Sequence, residues 1–301
     1  MNTAKLRIIV LIGLLGIVGN VSAETLVIGR VSSEPEKTYR QLKPILEYVV
    51  SKLHDVGITD GSVLIAKDQS EMIKYLQQGK VDWIQKGVFD ALVFSKEGGA
   101  EIALRSWREG VPSYYAVIFS RKDTNINSLK DLVGKKIAFQ DRDSTSAFYV
   151  PSAILRKSGF ELAELVSPRD STPLGKIGYA FAGKELTITT WVHRGLTDAG
   201  AYHNQNWSKP ADNPESMKKD LKIIYEGKPM PRMIEMLRGN LGPKIKAKIK
   251  EVLLHAHEDP AAQEALRAYG PETAKFDEFK GNTKEELVEA MSLAKYMNRV
   301  E

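Results

Sequence analysis

Four consecutive residues, Asp143-Ser144-Thr145-Ser146, concentrate carboxylate and hydroxyl oxygens at one point of the chain. The apolar segment Lys136 to Phe139 precedes them. A helical pattern with Phe148 and Leu155 turned inward follows. The spacing therefore places them at a strand-to-helix turn. Ser and Thr favour such positions because their oxygens accept hydrogen bonds from the orphan N–H groups of the first helical turn. The same helix start offers free backbone donors and the positive end of the helix dipole, so an oxyanion can be held there without Lys or Arg. Three hydroxyls in a row exceed what one cap needs, although a plain N-cap is the other reading. Tyr202, His203 and Gln205 form a second candidate group. They follow the strand-like Thr197-Asp198-Ala199, and open α/β sheets gather ligand contacts at the carboxyl ends of their strands. Ordinary loop polarity is the alternative for these three.

Other chemistries find little support. His255 and His257 are two apart, so a helix turns them to different faces. The chain has no H-E-x-x-H, P-loop or G-x-G-x-x-G pattern. With no cysteine, thiolate catalysis, Fe–S clusters and Cys-ligated zinc are excluded. The run Lys244, Lys246, Lys248 and Lys250 reads as the wet face of a helix whose dry face carries Ile245 and Ile249.

The elements that must position these residues repeat a grammar. An apolar strand from Thr25 to Val31 leads into a helix with Tyr39, Leu42, Leu46, Val49 and Leu53 on its buried face. A second strand, Ser62 to Ala66, precedes a helix that ends at Gly79 and runs into Val81-Asp82-Trp83-Ile84. The second copy starts at Lys136 to Phe139. Its later helix, around Leu186 to Arg194, ends at Gly195 and runs into Thr197-Asp198-Ala199. Glycine suits both helix ends because it tolerates the left-handed conformation. Alternating strands and helices predict α/β lobes with largely parallel sheets. Crossings are expected at Tyr114 to Phe119 and at Leu221 to Gly227. Lobe I is then 24–115 plus 226–301, and lobe II is 116–225. The terminal helix, with Leu287, Met291, Ala294 and Tyr296 on its apolar stripe, is expected to pack back on lobe I. The cleft between two hinged lobes becomes the expected site.

Residues 1–23 read as a signal peptide. They comprise a basic start with Lys5 and Arg7, an apolar run from Ile8 to Val18, and the small-residue cleavage site Val21-Ser22-Ala23. Cleavage leaves 278 of the 301 residues, and the loss of Lys5 and Arg7 lowers the net charge from +5 to +3. That charge gives no argument for nucleic acid. An exported chain without cysteine, stabilised by its core alone, fits a Gram-negative periplasm.

The ordered set of motifs resembles the phosphonate, phosphite and phosphate binding proteins of ABC importers, which have the type II periplasmic-binding fold. The resemblance rests on Leu26-Val-Ile-Gly29, Gly79-x-Val-Asp82, Tyr114 ahead of Ala116-Val-Ile118, Arg121-Lys-Asp123 and Ser128 through Phe139. It continues through Asp143-Ser-Thr-Ser-Ala-x-x-x-Pro151, Leu155, Gly159 and Gly195-x-x-Asp-Ala199. It implies a two-lobed α/β binding protein with hinge crossings and no cofactor. Its partners would be a small anionic ligand and a membrane permease, and a monomer is expected. It assigns Ser144, Thr145 and Ser146 to oxyanion binding and Tyr114 to a supporting hydroxyl. The chain departs from the family at Ala147 in place of Gly, Val88 in place of Pro, and Gln69 in place of Tyr. Lys184-Glu185 stands in place of Ser-His, and Gln205 in place of a Glu that holds an alkyl ammonium. Glu185, if in the cleft, would repel a dianion and attract a ligand cation; a solvated Lys-Glu pair at a helix start is the alternative. On the first reading, 2-aminoethylphosphonate and fully ionised phosphate bind poorly, and a monoanion or zwitterion binds better. Rival readings are a sensory module for a membrane receptor, a ferric-ion binder using Tyr114 and Tyr115, and an enzyme on the same fold using Glu185 and His203.

Overall fold

The computed structural model describes residues 24–142, 144–270 and 273–296. The signal-peptide reading of residues 1–23, and Asp143 of the oxygen-rich turn, lie outside the described residues. The chain folds into two six-stranded sheets and a two-stranded ribbon, all flanked by helices. The first sheet contains β1 (Glu24–Val31), β2 (Ile58–Ala66), β3 (Trp83–Lys86) and β4 (Ala100–Ser106). After β5 (Ser113–Tyr114) the chain enters the second sheet through β6 (Ala116–Arg121), β7 (Lys136–Phe139), β8 (Leu162–Glu164), β9 (Ile177–Phe181), β10 (Ala199–His203) and β11 (Leu221–Glu226). It returns by β12 (Met230–Pro231) to β13 (Met233–Arg238) and β14 (Phe276–Asp277) of the first sheet.

Strand order is β14-β4-β13-β3-β1-β2 in one sheet and β11-β6-β10-β7-β9-β8 in the other. In each, the βα units lie parallel, as short crossover helices require. The strand that arrives from the opposite lobe, β13 in one and β6 in the other, runs antiparallel to both its neighbours. This is the two-lobed α/β fold of periplasmic binding proteins. β11 belongs wholly to the second sheet, and the return passage follows it, where β12 pairs with β5. The two passages thus lie side by side, and a shared apolar cluster containing Tyr114, Ala116, Met230 and Ile154 packs around them.

The repeated grammar has a common local geometry. Gly79 and Gly195 take φ of 68° and 69°, where a Cβ would be strained. In each case the next residue's N–H closes a wide turn, Lys80 onto the Tyr75 carbonyl and Leu196 onto that of Trp191, both at 2.8 Å. The first helix, Pro35–Val50, buries Leu42, Leu46 and Val49, with Leu53 just beyond it, but leaves Tyr39 exposed. The C-terminal helix, Asn282–Ala294, packs on Val88–Gly98 of the first lobe through Ala290, Leu293 and Ala294. Met291 and Tyr296, expected on its buried stripe, are exposed.

Candidate functional site

A cavity of about 430 Å³ opens where the two sheets' carboxyl ends face each other. The second lobe contributes Thr145, Ser146 and His203; the first contributes Lys86, Gly87, Asp90 and Arg108, with Tyr114 and Arg232 from the passages between them. Two helix starts reach it. Gly87 precedes the helix Val88–Gly98 without a side-chain cap, which leaves its first-turn amides unclaimed by any side chain of that position. Ser144 precedes the wide turn Thr145–Tyr149 that feeds the helix Val150–Lys157.

The oxygen-rich turn divides its labour. Ser144 Oγ accepts from the Ala147 N–H at 3.2 Å, so it works as a cap. Ala147 is fully buried beside Ala138 and Ile188, and its methyl group anchors the turn to the core. Thr145 and Ser146 between them are half-buried and line the cavity. Tyr114 is buried, and burial pushes its hydroxyl pKa up, so it faces the cavity as a neutral donor.

Arg108 and Arg232 supply the charge that sequence reasoning missed. Arg108 starts a tight hairpin in which it exchanges both backbone hydrogen bonds with Val111, at 3.0 and 3.1 Å. The two residues at the tip, Glu109 and Gly110, both have positive φ, 52° and 72°. That combination is the type I′ geometry that suits the twist of paired strands. Glu109 from the tip meets Arg232 at 2.8 Å. Burial alone would raise the Glu109 pKa, but the hydrogen bond and charge of Arg232, with Arg108 beside it, hold it below the usual carboxylate range. Arg232 also donates to Gln205 Oε1 at 2.5 Å, a contact between the return passage and the second lobe. Burial and the neighbouring Arg232 push the Arg108 pKa down. His203 packs edge-on to Tyr114 with ring centroids 5.7 Å apart. Burial first, then Arg232, pushes its pKa down to about 4, so at neutral pH it is uncharged.

Of the residues singled out in the sequence, the structure brings Thr145, Ser146 and Tyr114 to the cavity wall, with Ser144 behind them. Gln205 reaches the site through Arg232. Tyr202 does not reach it. Successive residues of a strand point to opposite faces, and β10 extends to His203, so His203 faces the cavity while Tyr202 is buried against Phe119 with its hydroxyl on Thr189 at 3.2 Å. Glu185 opens the helix Glu185–His193 and is half-buried, outside the cavity lining. The repulsion of dianions that was expected from it therefore has no carboxylate of Glu185 in the wall to act through. Lys86 and Asp90, 3.9 Å apart, come from the end of β3 and the helix after it, the place where open sheets gather ligand contacts.

The family described as the periplasmic substrate-binding protein of phosphonate ABC transporters matches residues 28–283. A phosphate-import protein of Mycolicibacterium smegmatis is 26% identical over 72% of this chain and 68% of its own length. The phosphonates-binding periplasmic protein of Escherichia coli is 24% identical over 80% of this chain and 69% of its own. A Xanthomonas citri protein, solved with chloride bound and again with ATP bound, is 33% identical at a TM-score of 0.76. The match to its chloride-bound form covers 92% of this chain and 99% of that one.

Proposed function

The chain belongs to the periplasmic substrate-binding proteins of phosphonate ABC transporters, and on that footing we propose that it captures a small phosphonate-, phosphite- or phosphate-like oxyanion between its lobes and delivers it to a membrane permease. The family is one of transport proteins rather than enzymes, and no helix among the described residues is long and apolar enough to cross a membrane.

The observation that carries the reading is the convergence of Thr145 and Ser146, at a helix start in one lobe, with Arg108 and Arg232 on the other side of the same cavity. Helix-terminal amides and hydroxyls fix an oxyanion's orientation, and guanidinium groups in the same wall attract an anionic ligand. Because the cavity draws on both lobes, a ligand seated in it makes more contacts when they close, and that difference in affinity drives closure. Chloride and ATP in the Xanthomonas citri relative support an anionic, phosphoryl-bearing ligand. We divide the chain for this purpose into 24–115 plus 226–301 and 116–225, with the second boundary moved just past Glu226 because β11 runs to that residue; the first lobe closes over a ligand docked at Thr145 and Ser146. The ferric alternative is weakened because Arg108 and Arg232 line the same cavity and repel a cation.

The test is native mass spectrometry of protein purified without ligand exchange, followed by calorimetric titration with methylphosphonate, phosphite and inorganic phosphate. A bound oxyanion and saturable binding of at least one of the three are expected. Failure of all three to bind would overturn the proposal.

A further inference from the structure

The cavity holds more positive charge than one oxyanion at a helix start requires. Such a site needs no Lys or Arg, because amides and hydroxyls satisfy the oxygens. Yet Arg108 and Arg232 lie close enough to depress the Arg108 pKa, and both reach the same wall. Against them stands the carboxylate of Glu109, which is already bonded to Arg232. Arg108 is left over. Its Nε is buried without a hydrogen-bond partner among the described residues, and so is Nδ1 of His203 at the same corner. The backbone is shaped to hold this arrangement. Trp107 donates to the Lys275 carbonyl at 2.9 Å and accepts from the Ala274 N–H at 3.0 Å, which pins the hairpin that carries Arg108. Glu109 stands at a positive φ to reach Arg232, and strain of that kind concentrates at functional sites. The volume fits the same reading: about 430 Å³ falls in the range of drug-sized pockets rather than that of a lone tetrahedral ion.

We infer that the cavity has two anion subsites, one at Thr145 and Ser146 and a second at Arg108 beside Arg232 and His203, so that its ligand carries a second anionic group, a carboxylate or another phosphoryl, on the same small molecule. This rests on the oxyanion reading above and specifies it. The first subsite orients one end through the helix start. The second takes the far end by charge-assisted hydrogen bonds from the guanidinium of Arg108, whose backbone is held in the hairpin.

The test compares a ligand with one anionic group, methylphosphonate, with one that has two, phosphonoacetate, by calorimetry at one pH and salt concentration. It uses wild type, Arg108→Gln, Arg108→Lys and Thr145→Val. Wild type is expected to bind phosphonoacetate about tenfold more tightly or better, the equivalent of one charge-assisted hydrogen bond. Arg108→Gln should close that ratio, Arg108→Lys should recover part of it, and Thr145→Val should weaken both ligands by a similar factor. Melting curves confirm that each variant is folded, and Arg108→Lys carries the comparison if Arg108→Gln is not. Equal affinities in wild type, or a ratio that survives both Arg108 substitutions, would overturn the second subsite and leave the oxyanion reading intact. So would an Arg108→Gln variant that weakens both ligands alike, since Arg108 would then grip the first anion. If neither ligand binds wild type, the oxyanion reading falls and the second subsite with it.

Discussion

Asp82 and Asp198 make the same pair of hydrogen bonds in the two lobes. Asp82 Oδ2 accepts from the Val27 N–H at 2.8 Å, and its own N–H donates to the Val27 carbonyl at 2.8 Å. Asp198 Oδ2 accepts from the Lys136 N–H at 2.8 Å, and its N–H donates to the Lys136 carbonyl at 2.9 Å. Each aspartate therefore ties the segment after a Gly-terminated helix to the strand that opens its repeat, β1 for Asp82 and β7 for Asp198. The repeated sequence grammar has this clamp as its physical content. The two differ in one respect: Asp82 is buried and also accepts from Arg238 Nε and Nη2, at 2.9 and 2.7 Å. Asp82→Ala takes both of these bonds from the part-exposed Arg238 as well as the one from the Val27 N–H. Losing a hydrogen bond to a half-buried carboxylate costs about 1–3 kcal/mol. Asp82→Ala should accordingly lower stability more than Asp198→Ala in urea titrations. Equal losses would show that Arg238 contributes nothing to the clamp.

Ser144, Thr145 and Ser146 should separate into two behaviours. Ser144 is a cap, so Ser144→Ala is expected to cost about 1 kcal/mol of stability with a smaller effect on ligand affinity. Thr145 and Ser146 line the cavity, so Thr145→Val and Ser146→Ala should each cost about 1–3 kcal/mol of binding, the usual loss for a hydrogen bond to a charged group. Their melting temperatures should stay near wild type. Calorimetry with methylphosphonate together with melting curves checks the contrast. The division fails if Ser144→Ala proves to be the substitution that abolishes binding.

The oxygen-rich turn was legible because its signal is local: residue types, a strand before it and a helix after it. The echoed spacing from Gly79 to Asp82 and from Gly195 to Asp198 was legible for the same reason, but the hydrogen bonds of the two aspartates were not. Tyr202 is harder to place from the sequence, because Thr197-Asp198-Ala199 reads as the whole strand and the residues after it read as a loop. With β10 running to His203, strand parity buries Tyr202 and presents His203. Arg108 and Arg232 carry no such signal. One sits by a hairpin tip and the other beside a lobe crossing, and tertiary packing alone brings them to one wall among 43 Lys and Arg residues in the chain. The Glu109-Gly110 tip gave only a weak clue, since the usual signature of such a hairpin is Asn or Asp before Gly, not Glu.

Glu109 offers a direct measure of backbone strain at the site. A non-glycine residue in the left-handed region costs roughly 1–2 kcal/mol, and Glu109 sits there with φ 52°. Glu109→Ala and Glu109→Gly both remove the ion pair to Arg232, but only glycine also removes the strain. Glu109→Gly should therefore be the more stable of the two by about 1 kcal/mol in chemical denaturation. An alanine variant as stable as the glycine variant would mean that the hairpin tip relaxes without the side chain.

His203 should make stability depend on mild acid. Its pKa falls from the ordinary 6.5 to about 4 in the folded protein, because burial and the nearby guanidinium of Arg232 disfavour the imidazolium. The unfolded chain binds the proton more readily, so stability falls as protons are added. The contribution of the neutral, buried imidazole is fully present above about pH 6.5, declines as the pH drops, and is gone below about pH 4, a total on the order of 3 kcal/mol. His203→Gln removes this term while keeping a polar side chain. The difference in unfolding free energy between wild type and His203→Gln should therefore shift against wild type between pH 7 and pH 4.5. An anion bound beside His203 should oppose the trend, since it favours the imidazolium; ligand binding near pH 5.5 should then be accompanied by proton uptake, visible as a buffer-dependent binding enthalpy. Parallel stability profiles for the two proteins would show that His203 titrates as freely as an exposed histidine and does not lie in the electrostatic grip of Arg232.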